Sequence, residues 1–170
     1  VEFISVNGDL KEAILWTHRS PSTPFATLIT DSIHHFHNHS SESAIISDPK
    51  QWFFEPDPSI LRAGLVQNLA VELNATMLDE TIAYLTLDEQ IATPWGRYWQ
   101  IVDWMPFNLK KLRRYLVERQ VRHVTVKKRG FPMSPEEVIA KLKLKKGTES
   151  RVLVMTRLRN NPIVLICTEI

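Results

Sequence analysis

Apolar and polar positions mix in two strand-like runs, VEFISV and DLKEAILW, on either side of Asn7-Gly8. Asn-Gly supplies the positive φ values of a tight two-residue turn, so the pattern predicts an N-terminal β-hairpin. A third run over 25–30 is placed to pair with it, and residues 31–50, rich in Ser, His, Asn and Pro without a period, read as an exposed loop or linker. From Asp57 the period becomes helical. Asp57 suits an N-cap, Pro58 suits the first helical position, and Leu61, Leu65, Leu69 and Leu73 recur every fourth residue, predicting a helix of about four turns. Two extended runs follow, Ile82–Leu87 and 97–105, separated by acidic and Pro/Gly punctuation and expected to pair.

In the last third, Asn108 caps a second helix whose Leu109, Leu112 and Leu116 face inward, which leaves Lys110, Lys111, Arg113 and Arg114 displayed. Val121, Val124 and Val126 mark a strand that runs into Lys127-Lys128-Arg129-Gly130. Ser134-Pro135-Glu136-Glu137 reads as a capping box with proline at the first position, opening a helix to about Leu144. Runs over 151–158 and 162–169, joined by Arg159-Asn160-Asn161, close the chain as a hairpin. The order from residue 57 is α-β-β-α-β-α-β-β. It predicts an α+β fold, a mixed sheet covered by helices and preceded by the N-terminal hairpin. The domain division is 1–30 for the first strands, 31–50 for the linker and 51–170 for the main domain.

Composition adds exclusions. The 170 residues, 44% hydrophobic and 24% charged, suit one globular domain with a short appendage. Cys167 stands alone, so neither an internal disulfide nor a cysteine-based zinc site forms, and its apolar surroundings make it a small buried hydrophobe. No apolar run approaches the roughly 18–20 residues of a membrane span, and no secretion signal opens the chain. The expectation is a cytoplasmic protein without membrane contact. Because Val1 begins directly in a strand, the chain reads as part of something larger.

The net charge of +2 conceals an asymmetry. Residues 1–105 carry 5 Lys/Arg against 14 Asp/Glu, whereas residues 106–170 carry 16 against 5. Within 106–130, nine cations (Lys110, Lys111, Arg113, Arg114, Arg119, Arg122, Lys127, Lys128, Arg129) face a single acid, Glu118. Such a concentration of one sign points to a polyanionic partner, with a solvated basic face as the alternative. Three cations at a strand end beside a basic helix offer donors to successive phosphates, and Gly130 would let a backbone approach.

Other chemistry finds little support. The glycines at 8, 64, 96, 130 and 147 are too scattered for a phosphate-cradling or cofactor-binding loop. His-Glu-x-x-His and Gly-x-Ser-x-Gly are both missing. The adjacent acids Asp79-Glu80 and Asp88-Glu89 read as turn or surface acids, and Glu136-Glu137 suits a helix's first turn. His34, His35, His37 and His39 cluster, but a flexible Ser/Asn-rich loop lacks the second shell a metal site needs. Trp95, Trp99, Trp104 and Tyr98 around Arg97 read either as core or as a stacking platform for bases.

One combination carries a resemblance. Phe54-Glu55-Pro56-Asp57-Pro58, Ile60-Leu61-Arg62-Ala63, Ile82-Ala83-Tyr84-Leu85-Thr86 and Val126-Lys127-Lys128-Arg129-Gly130 resemble the THUMP-like domain at the C-terminal end of a group of bacterial class I S-adenosylmethionine-dependent methyltransferases, over roughly residues 50–170. The resemblance implies that Glu2-Phe3-Ile4-Ser5-Val6 and Leu10-Lys11-Glu12-Ala13 are the last strands of an upstream methyltransferase domain. S-adenosylmethionine would bind there, leaving this chain without catalytic residues, cofactor or metal. It further implies an accessory module that presents RNA, tRNA or rRNA, and the charge pattern assigns the contact to Lys110, Lys111, Arg113, Arg114, Lys127, Lys128, Arg129 and Gly130. The competing implication is a structural or oligomerisation domain packed on the methyltransferase core, with Glu55, Asp57 and Arg62 as internal ties.

Overall fold

A computed structural model describes residues 1–17, 23–39 and 42–168. Asn7 (φ 50°) and Gly8 (φ 86°) make the expected tight turn between β1 (Glu2–Val6) and β2 (Asp9–Ile14). Strand β3 (Phe25–Ile29) runs parallel to β1, and β4 (Ile33–Phe36) adds antiparallel to β3, giving a four-stranded sheet in the order β2-β1-β3-β4. Residues 31–50 are therefore not one loop. Strand β4 hid in the sequence because only Phe36 of Ile-His-His-Phe is deeply buried, so histidines mask its alternation. Farther on, Ile45 and Ser47 bond to the backbone of Met77.

The second sheet is built from β5 (Trp52–Pro56), β6 (Thr76–Asp79), β7 (Ile82–Leu87), β8 (Gly96–Pro106), β9 (Val121–Lys128), β10 (Glu149–Leu158) and β11 (Asn161–Thr168). Its order is β6-β7-β5-β8-β11-β10-β9, antiparallel throughout except for β9 beside β10. Helices α1 (Pro58–Ala63) and α2 (Val66–Glu72) follow β5, α3 (Leu109–Glu118) precedes β9, and α4 (Pro135–Leu142) follows it. The class is α+β, as the pattern predicts.

Two expectations need correction, and one strand had no sequence signal. The single helix from Asp57 is two, because Gly64 turns left-handed (φ 72°) and its N–H closes the first helix. The capping is as read, with Asp57 accepting from the Ser59 N–H and Pro58 starting the helix. The two extended runs form β7 and β8 but do not pair with each other, since β5 lies between them. Strand β6, all four residues buried, has no alternation to betray it.

The faces of this sheet are covered in different ways. On one, α1, α2 and the N-terminal sheet bury Phe54, Leu85 and Leu87, while α3 and α4 bury Leu153, Met155, Val164 and Ile166. The opposite face carries Phe53, Leu78, Tyr84, Trp99, Val154, Leu165 and Cys167, all buried without a helix above them. The sheet achieves this by curling on itself. The β6–β7 turn meets the β10–β11 turn, where the Asn160 N–H donates to Asp79 Oδ2 at 2.8 Å and Arg157 Nη2 donates to Thr81 Oγ1 at 2.9 Å. Irregularities in the β6–β7, β8–β11 and β9–β10 pairings accompany the bend.

Candidate nucleic-acid interface

Strand alternation decides what the cations of β9 can do. Val124 and Val126 face α3 and α4, so Lys127 points to the other side of the sheet, toward the curled interior. There Lys127 Nζ pairs with Glu55 Oε2 at 2.7 Å and lies 4.4 Å from the ring centroid of Trp99. Arg129, two residues on, donates from Nη1 to the carbonyl of Ala83 at 3.0 Å and holds its guanidinium 4.7 Å from the Tyr84 centroid. Burial pushes the Tyr84 hydroxyl up to about 12, with the Glu55 carboxylate adding to the shift and Arg129 opposing it. Gly130 sits at φ 69°, and a Cβ there would stand 2.3 Å from Ile82 Cδ1, so its missing side chain admits β7 rather than a ligand. Lys127, Arg129 and Gly130 thus close the sheet between β9 and the β5–β7 strands.

The remaining predicted cations divide again. Arg113 Nε donates to the carbonyl of Leu142 at 2.9 Å, satisfying an orphan acceptor at the end of α4. Lys110, Lys111 and Arg114 are exposed on α3, and Arg114 has only a loose contact, 3.8 Å to Glu118 Oε1. Lys128 is also exposed, turned to the helix side with Nζ 3.4 Å from the Phe131 carbonyl. The structure therefore does not unite the eight predicted residues: Lys127 and Arg129 lie on the opposite side of the sheet from Lys110, Lys111, Arg114 and Lys128. On the helix side the surface continues through Arg122, Lys141, Lys143, Lys145 and Lys146, all exposed and, among the described residues, without ion pairs. The run KLKLKK at 141–146 is the sequence signal for this extension of the basic surface.

The aromatic platform is core. Trp95 and Trp99 are buried, and an irregularity in β8 brings Trp104 to the same side as Trp99. The histidines have separate partners, His34 meeting Trp95 edge-on, His37 stacking on Phe25 at 4.9 Å and His35 Nδ1 lying 3.0 Å from Thr27 Oγ1, while His37 and His39 meet edge-on at 6.2 Å. His34 and His35 belong to β4, not to a loop. Among the described residues no set of three or more His, Cys, Asp or Glu side chains is arranged for a metal. Likewise, no helix among them is long and apolar enough to cross a membrane.

An S-adenosylmethionine site can be tested against β9-α4-β10, the one place where a helix connects parallel neighbours of the sheet. A cofactor-cradling turn would need Gly130 open and the α4 N–H groups free. Instead, Ile82 fills the space above Gly130. Ser134 accepts from the Glu137 N–H at 3.2 Å, while Glu137 Oε2 accepts from the Ser134 N–H at 2.7 Å and places a carboxylate at the helix start. These residues do not fit the cofactor.

A cleft of about 490 Å³ lies where the β1–β2 turn meets β5 and β8, lined by Asn7, Gly8, Glu55, Asp57, Arg97 and Arg129 among others. Its floor is fixed by Asp57 Oδ1, which accepts from the Ser59 N–H at 2.8 Å, from Ser59 Oγ at 2.6 Å and from Ser5 Oγ. The Glu-Pro-Asp and Lys-Lys-Arg-Gly motifs, about seventy residues apart in sequence, meet at its wall through the Lys127–Glu55 pair.

With the geometry in place, likeness to known proteins is decisive for the second half of the chain. Residues 96–169 match the family model described as THUMP domain-like. Over this stretch the chain is similar to a THUMP-like domain. Across 93% of its length the chain is 26% identical to an uncharacterized S-adenosylmethionine-dependent methyltransferase of Mycobacterium tuberculosis, in strains CDC 1551 / Oshkosh and ATCC 25618 / H37Rv. It spans 44% of the length of those curated relatives. The fold is shared with a crystal structure described as a "putative methyltransferase" from Porphyromonas gingivalis W83, at TM-score 0.75 and 20% identity over 98% of this chain and 44% of that one. In the THUMP-like domain, β8, α3, β9, α4, β10 and β11 carry both sets of cations, whereas Glu55 and Tyr84, which Lys127 and Arg129 engage, lie before it.

Proposed function

We propose that this chain is an RNA-binding part of an S-adenosylmethionine-dependent methyltransferase, holding the RNA backbone on the helix side of the THUMP-like domain. The cofactor and the methyl transfer belong to another part of the enzyme. The observation that carries the reading is the exposed row Lys110, Lys111 and Arg114, with no carboxylate nearer than the 3.8 Å of Glu118, continued by exposed Lys128 and Lys141. Cations that outnumber the acids around them and touch them only loosely retain their attraction for a polyanion. The methyltransferase relatives supply the enzymatic context.

The test is the salt dependence of RNA binding. Replacing Lys110, Lys111 and Arg114 together with Ala should flatten the slope of log K against log salt by about two, at roughly 0.7 per phosphate contact for a single strand. An unchanged slope would remove RNA from this surface. A second reading, packing against the catalytic part, is favoured by the face of the N-terminal sheet away from α1. It presents Ile4, Val6, Phe25 and Ile29 half-buried and Ile33 exposed. These two readings concern different surfaces and are compatible.

A further inference from the structure

The cleft between the β1–β2 turn and β5/β8 contains charges of both signs, and their partners differ. Glu55 is engaged by Lys127 at 2.7 Å. Asp57 is buried and held by Ser5 and Ser59. Asp9, at the rim, has Lys11 Nζ at 3.5 Å. The two arginines are the reverse case. Arg97 is exposed and, among the described residues, bonds to nothing through its side chain, although its Nη2 lies only 3.3 Å from where a Cβ of Gly8 would be. Arg129 has only neutral partners, the Ala83 carbonyl and the Tyr84 ring. Both line the same cleft. Of the acids there, Glu55 has a close cation, Asp9 a loose one and Asp57 is held by neutral donors, while among the described residues neither guanidinium has a counter-anion.

We infer that this cleft is a nucleotide pocket in which Arg97 and Arg129 hold a phosphate ester. Guanidinium suits phosphate because its planar fork matches two oxygens at once. The volume of about 490 Å³ is of the size that takes a small molecule, and Leu28, Pro58, Leu61 and Pro94 supply apolar wall for a sugar and base. Gly8, at φ 86° and without a side chain, keeps the mouth open beside Arg97. Such a phosphate arrives either on a free mononucleotide or on one residue of a strand. The inference does not depend on the basic helix side, which lies across the sheet from Arg129.

The experiment is a ¹⁵N NMR titration of the full chain with AMP, with a short single-stranded RNA and with succinate as a carboxylate control. The expected result is saturable movement of the Gly8 amide and the Arg97 Nε–H with AMP or with RNA, weakened at least tenfold in Arg97→Ala. Arg97 is exposed and bonded to nothing, so this variant should fold normally. AMP binding at full strength in Lys110→Ala/Lys111→Ala/Arg114→Ala would separate this pocket from the basic surface. Movement with RNA but not AMP would make the strand the source of the phosphate. No saturable movement with either, undiminished binding in Arg97→Ala, or an equal response to succinate would overturn the assignment.

Discussion

Lys127 and Lys110 are the same residue type in the same basic segment, and the fold sets them to opposite tasks. Lys110 sits on the outer side of an amphipathic helix, free of carboxylates. Lys127, on the side of a strand facing the curled interior, is held by Glu55 and by the face of Trp99. On the same side Arg129 leans on Tyr84 and the Ala83 carbonyl but, unlike Lys127, has no carboxylate partner among the described residues. A count of charge along the chain treats these cations alike. What separates Lys110 from Lys127 is the side of the helix or sheet that each occupies, and with it whether the charge is spent within the molecule or left for a partner.

The contrast is broken most directly by replacing Lys127 and Arg129 with Ala. This removes a half-buried ion pair, two cation–aromatic contacts and a charged hydrogen bond, so the chain should lose about 2–4 kcal/mol. At about 2–4 °C per kcal/mol for a chain of this size, thermal circular dichroism should show Tm falling by roughly 5–15 °C. A fall below about 1 °C would mean that the pair does not hold the sheet closed. Gly130→Ala should cost about 1–3 kcal/mol in denaturant unfolding, because the new Cβ meets Ile82 in a left-handed backbone position.

Tyr84 gives a smaller, pH-dependent effect. Its hydroxyl stands at about 12 in the folded chain against an ordinary 10.0, so on raising the pH the unfolded chain gives up this proton first. Stability is then complete below about 10 and declines between 10 and 12. Melting curves over that range should fall less steeply in Tyr84→Phe; parallel curves would place the loss elsewhere. The smallest change is expected on the other side. Lys110→Ala/Lys111→Ala/Arg114→Ala should alter stability by less than about 0.5 kcal/mol in the same unfolding experiment, since exposed charges and one loose, exposed pair with Glu118 contribute little.

Local chemistry made much of this legible in advance. The turn at Asn7-Gly8, the caps at Asp57 and Asn108 and the capping box at Ser134 and Glu137 each depend on residues within a few positions of one another. Strand β5 escaped notice because Phe53 and Phe54 are buried on opposite faces, which erases alternation. The break at Gly64 was overridden by the leucine stripe, although all four leucines are wholly or partly buried as the stripe required. At the candidate interface, alternation alone would have placed Lys127 and Arg129 across from Lys128. Naming their partners needed the fold, because Glu55, Ala83 and Tyr84 are more than forty residues away in sequence.

The closed sheet also bears on where this protein can be cut. The THUMP-like match begins at residue 96, at the start of β8, yet Phe53, Leu78, Ile82 and Tyr84 share one apolar interior with Trp99, Val154 and Leu165. Excising residues 96–169 would strip β5 from β8 and leave Lys127 without Glu55, so half of that interior would face water. The segment that the family model matches is thus smaller than the segment whose side chains share this interior. A recombination event or an expression fragment that respects the first boundary would yield an open, aggregation-prone sheet, whereas one that starts ahead of Trp52 keeps the curl intact.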